Sequence, residues 1–218
     1  MNNPNGASSP TPMHSAPDQL LRSLRDRIAL ARDGLDGLLA AEKGAICVLG
    51  TVQSVLQNGG TLLTCGNGGS AAQALHFSEE LLGRFIANRA PFPSICLNAD
   101  PTALTCIAND FGFESVFSRQ VTALAQPGDA LVVFSTSGNS PNIIAALKEA
   151  QRLGVTTIAL LGGDGGAALA HCNASVVVEG PDTASIQEAH QTLLHACCAI
   201  VEPRGCGDDC ACVSKDES

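Results

Sequence analysis

The segment from Asp129 to Lys148 restricts the fold more than any other part of the chain. Leu131, Val132, Val133 and Phe134 form a short unbroken apolar run, which suits a strand covered on both faces, and Ile143, Ile144 and Leu147 then recur at helical spacing. Between strand and helix lies Ser135-Thr-Ser-Gly-Asn-Ser140. Short hydroxyls and unpaired amides at a helix N-terminus can hold a phosphate without a lysine. Ser137 or Ser140 can equally be a plain helix cap ahead of Pro141, and spacing alone does not separate the two readings. The turn has neither the lysine of a P-loop nor the glycine spacing of a dinucleotide fingerprint, so a sugar phosphate is a better ligand for it than a nucleotide.

Similar units recur along the chain. Leu20, Leu21, Leu24, Ile28, Ala31, Leu35, Leu38 and Leu39 form a stripe at about 3.6-residue period, with Leu30 off it, and predict a long amphipathic helix from Pro17. A second helix is expected from about Lys43 to Leu56, stopped by Asn58-Gly-Gly60. These two helices have either to cover a sheet face or to pack on another subunit, and the second is expected to contribute. Strands are predicted at Thr61–Cys65, Ser94–Leu97, Leu131–Phe134, Thr157–Leu161 and Ser175–Val178. Helices are predicted at about Ala71–Phe85, Thr102–Ala108, Glu114–Leu124 and Ser185–Val201. Alternation of this kind implies an α/β fold, a doubly wound, Rossmann-like parallel sheet of five strands with N-terminal helices and ligands at the carboxyl ends of the strands. The expected organisation is a polar segment over residues 1–16 without regular structure, one domain over 17–202 and a polar, cysteine-containing tail over 203–218.

A net charge of −9 argues against nucleic acid as the principal partner, and no apolar stretch approaches a membrane span. With a polar, proline-rich N-terminus lacking an apolar segment, a cytoplasmic protein is expected. Of ten cysteines, Cys47, Cys65, Cys96, Cys106, Cys172, Cys197 and Cys198 sit in or beside apolar segments, where most are expected to behave as small core residues. Cys206, Cys210 and Cys212 form a C-x3-C-x-C group that can bind a soft metal, but in a polar tail an unstructured segment is the better reading.

Several other residues can carry chemistry. Asn67-Gly68-Gly69 allows close backbone approach to a ligand beside an amide that donates and accepts. His76 and Glu80 share a helix face, with Arg84 one turn on, and can share a metal or act as an acid/base pair; from spacing alone an ordinary ion-pair row is the better reading. Gln187, Gln191 and His195 recur every four residues on the last helix, while His190 points elsewhere. Asn109-Asp110, expected in a glycine-containing loop, is either a turn or a hydroxyl-binding pair.

Taken together, Cys65-Gly-Asn-Gly-Gly-Ser-Ala-Ala72, His76-Phe-Ser-Glu-Glu80-Leu-Leu-Gly-Arg84, Leu104-Thr-Cys-Ile-Ala-Asn-Asp-Phe-Gly-Phe113, Ser135-Thr-Ser-Gly-Asn-Ser140 and Ile186-Gln-Glu-Ala-His190 closely resemble the phosphoheptose (sedoheptulose 7-phosphate) isomerases of the sugar-isomerase (SIS) domain superfamily. The resemblance covers roughly residues 18–202. It implies an aldose–ketose isomerase converting D-sedoheptulose 7-phosphate to D-glycero-D-manno-heptose 7-phosphate through an enediol, for bacterial surface heptose such as that of lipopolysaccharide. It further implies a phosphate loop at Ser135, Thr136, Ser137 and Ser140, and sugar contacts at Asn67, Gly68, Gly69, Glu80, Asn109, Asp110 and Gln187. Glu80 and His195 are implied as the acid/base pair, His76, Glu80, Gln187 and His195 as a zinc site, and a homotetramer with sites at subunit interfaces as the assembly. Ser185 departs from the arginine common in that family before Ile-Gln-Glu. The rival readings are an isomerase of another phosphosugar and a non-enzymatic relative that binds the replication initiator; retention of Glu80, His195 and the full serine loop favours the enzyme.

Overall fold

A computed structural model describes residues 17–202. The expectations for residues 1–16 and 203–218, including Cys206, Cys210 and Cys212, lie outside the described residues. In chain order the elements are α1 (Pro17–Ala40), α2 (Glu42–Gln57), β1 (Leu62–Gly66), α3 (Gly69–Leu82), β2 (Ser94–Cys96), α4 (Pro101–Phe111), a 3-10 turn (Phe113–Ser115), α5 (Ser118–Leu124), β3 (Ala130–Ser135), α6 (Pro141–Arg152), β4 (Thr156–Gly162), a 3-10 turn (Ala167–His171), β5 (Ala174–Val178) and α7 (Thr183–Val201).

The five strands form one sheet in the order β2-β1-β3-β4-β5, and every neighbouring pair is parallel. Because side chains alternate along a strand, each strand feeds two cores. Leu62, Val132, Phe134, Ile158, Leu160, Val176 and Val178 face α2, α3 and α7, whereas Leu63, Cys65, Leu131, Val133, Ala159 and Leu161 face α5 and α6. Helices on both faces explain why β1 and β3 are buried along their whole length. β1 leads outward to β2, and the chain then returns to place β3 on the other side of β1. The switch point of the topology is therefore the gap between the carboxyl ends of β1 and β3, where such sheets open a crevice.

α2 covers the first core with Val48, Val52, Val55 and Leu56, whereas α1 lies across α7 and β5 and buries only Gly34. A Cβ at Gly34 would run into the carbonyl of Ser185, and one at Gly37 into that of Glu179, so these glycines set how closely α1 approaches. Leu20, Leu21, Leu24, Ile28 and Leu39 face outward. Of the two leading helices, α2 thus covers the sheet, and α1 presents an exposed apolar row.

The structure corrects four details. α3 ends at Leu82, so Arg84 leaves the His76–Glu80 row and Phe85 lies in the following loop. The predicted helix Glu114–Leu124 is a 3-10 turn followed by a shorter α5, with Val116 and Phe117, both buried in the core, at the break between them. Asn109 and Asp110 lie in the last turn of α4, not in a loop, since Asp100 caps a helix that runs from Pro101 through to Phe111. Cys47 and Cys106 are exposed on helix faces turned away from the cores, while Cys65, Cys197 and Cys198 are buried as expected.

Candidate active site

Two groups of side chains lie on the α3 and α7 side of the switch point. The first lines a cavity of about 240 Å3 formed by Asn67, Gly69, Ser70, Phe134, Ser135, Thr136, Ser137, Ser140, Thr183 and Gln187. β3 delivers the serine loop and α6 follows from it. Ser135 Oγ accepts a hydrogen bond from the Gly138 amide at 3.1 Å, and Ser137 Oγ accepts from Asn139 N at 3.2 Å, which folds the loop upon itself. Ser140 occupies the cap position of α6, yet its side chain makes no capping bond. Its hydroxyl therefore stands at the positive end of the helix without serving as a cap. Asn67 and Asn142 exchange reciprocal amide hydrogen bonds of 2.9 Å and pin the β1 turn to the first turn of α6. A Cβ on Gly69 would lie 2.6 Å from the Gln187 amide nitrogen, so glycine there lets α3 start directly beneath that side chain.

The second group lies further along the same two helices. His76 Nε2 is 3.1 Å from Glu80 Oε1 and 3.3 Å from His195 Nε2, and one ligand atom from each of the three residues falls within 4.8 Å of the others. The i,i+4 spacing on α3 supplies the first pair and packing of α3 on α7 supplies His195. Gln191 Nε2 lies 3.1 Å from His195 Nε2, and the Phe85 ring stacks on His195 at 5.2 Å between centroids and 22° between planes. Two ligands at tetrahedral zinc distances of about 2.0–2.1 Å stand about 3.3 Å apart, so the His76–His195 and His76–Glu80 separations match two edges of such a site. Two imidazole nitrogens and a carboxylate oxygen are a donor set that zinc takes, and the residues fit the ion.

Not every expected residue converges. Gln187, expected both at the sugar and at the metal, lies in the first group against Gly69, and the amide at His195 is that of Gln191, one turn on. Asn109 and Asp110 are exposed on α4, joined to each other by a 2.8 Å hydrogen bond, and do not line the cavity within this chain. Gly68 is exposed at the mouth of the β1 turn with φ +57°. Thr183 and Ser70 line the cavity without having been expected; Thr183 follows the helix cap Asp182, a signal that was available in the sequence. Ser185, the departure from the arginine, is buried in a capping box with Asp182 and packs on Gly34, and the guanidinium at this end of α7 is that of Arg27, 2.7 Å from Asp182 and 3.1 Å from Glu188.

A parallel sheet of this order, with a hydroxyl-lined cavity at its switch point and a His/Glu/His group beside it, defines a phosphosugar-handling α/β domain, and a profile of the SIS domain matches residues 31–162. Phosphoheptose isomerases are similar over more of the chain. That of Campylobacter concisus is 51% identical over 151 residues, 69% of this chain and 80% of its own, and that of Aquifex aeolicus is 46% identical over 159 residues, 73% and 83%. The solved phosphoheptose isomerase of Neisseria gonorrhoeae superimposes with a TM-score of 0.76 at 39% identity, covering 84% of this chain and 98% of that one. The Francisella tularensis enzyme gives 0.77 at 34%, covering 86% and 98%. The chain belongs to the phosphoheptose isomerase family of SIS domains.

Proposed function

We propose that this protein isomerises D-sedoheptulose 7-phosphate to D-glycero-D-manno-heptose 7-phosphate through an enediol, holding the phosphate in the serine loop and the reacting carbons at His76, Glu80 and His195. The observation that carries this reading is the shared track of the two groups on one helix pair. Gln187 and His195 are eight residues apart on α7, about 12 Å of helix rise. That span suits an extended sugar with its phosphate at one end and its carbonyl at the other.

The chemistry follows from the side chains. Ser135, Thr136, Ser137 and Ser140 offer hydroxyls, and the start of α6 offers amides, to a dianion. Asn67, Gly68, Gly69 and Gln187 border the carbon chain, and Asn109 and Asp110 would join them from a neighbouring subunit. Moving a proton from C1 to C2 of a ketose needs one group to take it and another to serve the oxygens, and Glu80 and His195 form that pair. Zinc bound by His76, Glu80 and His195, with Gln187 as a further ligand if its amide turns from Gly69, would polarise the carbonyl and diol oxygens. Glu80, at 15% side-chain exposure, is more sheltered than His76 at 40%, and a carboxylate lent to a metal is a weaker base, so its two roles compete. A homotetramer is supported by the outward apolar row on α1. No helix among the described residues is long and apolar enough to cross a membrane. A cytoplasmic enzyme supplying surface heptose, including that of lipopolysaccharide, is in keeping with this.

The test is to incubate the protein with sedoheptulose 7-phosphate in deuterated water, with and without zinc, beside Glu80→Gln, and to follow the products by proton NMR. Aldose carrying deuterium at C2, absent with the variant, is the expected result, and the zinc arm decides whether metal is needed. No turnover by a folded protein in either arm would sink the heptose reading and bring forward that of a binding protein.

A further inference from the structure

The loop between α3 and β2, residues 83–93, has no regular structure, yet it is tied down at one point with unusual completeness. Glu202, the residue after α7, receives the amides of Phe85 at 3.0 Å, Ile86 at 3.1 Å and Ala87 at 2.9 Å on one carboxylate. Three successive amides converging on an anion form a nest, filled here by the chain's own side chain, which is only 8% exposed. Arg89 closes the other side of the loop. Its guanidinium donates to the carbonyls of Glu80 at 2.7 Å, Leu81 at 2.9 Å and Ala90 at 3.0 Å, stands 3.6 Å from Glu202 and lies over the Phe92 ring. The loop is therefore bolted both to the end of α7 and to the carbonyls that end α3.

What this anchoring positions is Phe85, whose ring lies nearly parallel to the imidazole of His195. A metal-binding or acid/base histidine is ordinarily fixed by a hydrogen bond to its second nitrogen. Among the described residues the recorded hydrogen bonds of His195 all involve Nε2, from Gln191 and His76, and none reaches Nδ1. Nδ1 is open to solvent, and the side chain that lies along the ring plane is that of Phe85.

We propose that Phe85 is a positioning residue for His195, fixing its ring plane by stacking, and that Glu202 acts through Phe85 by holding the loop that carries it. The proposal rests on the reading of His195 as a functional group, but not on the identity of the sugar.

The experiment uses the full chain with zinc alone, and compares wild type with Phe85→Leu, Phe85→Tyr and Glu202→Gln. Zinc affinity is read by competition with a chromophoric chelator, and the His195 ring signals by proton–carbon NMR. Loss of an orienting partner ordinarily weakens a metal site by about 10- to 100-fold, and Phe85→Leu and Glu202→Gln are expected to fall in that range. Both should broaden or shift the His195 ring signals, whereas Phe85→Tyr, which keeps the stacked ring, restores both readouts. Leucine keeps an apolar side chain at this half-buried position, and the NMR spectrum itself reports that the variant is folded. Wild-type affinity and unchanged ring signals in Phe85→Leu would overturn the proposal, and a loss in Phe85→Leu without one in Glu202→Gln would overturn the part assigned to Glu202. If the wild type takes up no zinc, the ring signals alone decide. Neither readout involves substrate, so failure of the heptose reading leaves this test intact.

Discussion

His190 gives a prediction whose size can be worked from its surroundings. It is fully buried on the inner face of α7, donates through Nε2 to the carbonyl of Leu161 at 3.0 Å, meets the Phe134 ring edge-on, and has no partner for Nδ1. Burial pushes its pKa down to about 4, against a smaller upward push from the Leu161 carbonyl. An unfolded chain protonates a histidine near pH 6.5. Between pH 6.5 and 4 the unfolded state therefore binds more protons than the folded one, and stability falls as pH falls. Linkage from these two values gives a loss of about 1 kcal/mol between pH 7.5 and 5.5, and about 2–3 kcal/mol by pH 4.5. His190→Gln keeps a donor for Leu161 and removes the titration. Urea unfolding of both proteins at pH 7.5, 6.5, 5.5 and 4.5, at one protein concentration, should show the variant less stable at the top of the range but flatter across it. Parallel curves would refute the reasoning, because the remaining titrating groups are common to both proteins.

Gly69→Ala should raise KM for the sugar phosphate with little change in unfolding midpoint, since the new methyl meets only the end of the Gln187 side chain; steady-state kinetics beside thermal unfolding checks this. Ser135→Ala removes the acceptor of the Gly138 amide and should cost about 1 kcal/mol of stability, seen in urea unfolding. Ser140→Ala, which loses no cap bond, should change stability by less than about 0.5 kcal/mol while weakening phosphate-ester binding about tenfold or more, measured by calorimetry. Asp182 is held down to about 2, chiefly by the hydrogen bond from Arg27 and then by the Ser185 amide. Its contribution to stability is present above about pH 4 and is lost as pH falls from there to about 2. Asp182→Asn should flatten this acid limb in a circular-dichroism pH titration, and an unaltered limb would count against the Arg27 contact.

What could be read in advance and what could not divides along sequence separation. The strands were legible because an apolar run bounded by glycine has few alternatives to a buried parallel strand, and the serine loop was legible because its chemistry lies within six consecutive residues. The nearby Gly112 points to a loop at Asn109 and Asp110, whereas α4 keeps its helical bonding up to Phe111 and stops only at that glycine. The expectation that α3 reaches Phe85 has a different origin. Its amphipathic row continues through Arg84, and nothing nearby in the sequence reveals that a carboxylate 115 to 117 positions downstream captures the amides of residues 85–87. A helix continuing through Phe85 would engage those amides with carbonyls of its own preceding turn. Glu202 offers them a charged acceptor instead, and Arg89 takes up the carbonyls left at the end of α3. The same exchange sets Phe85 on His195, so the residue whose local pattern misled is the one that the long-range contact moves to the edge of the site. Gln187 and Gln191 illustrate the limit on a finer scale. Four residues apart, they share a face, yet Gln191 meets His195 one turn along the same helix while Gln187 lies against the start of α3 at Gly69, a contact that local spacing does not reveal.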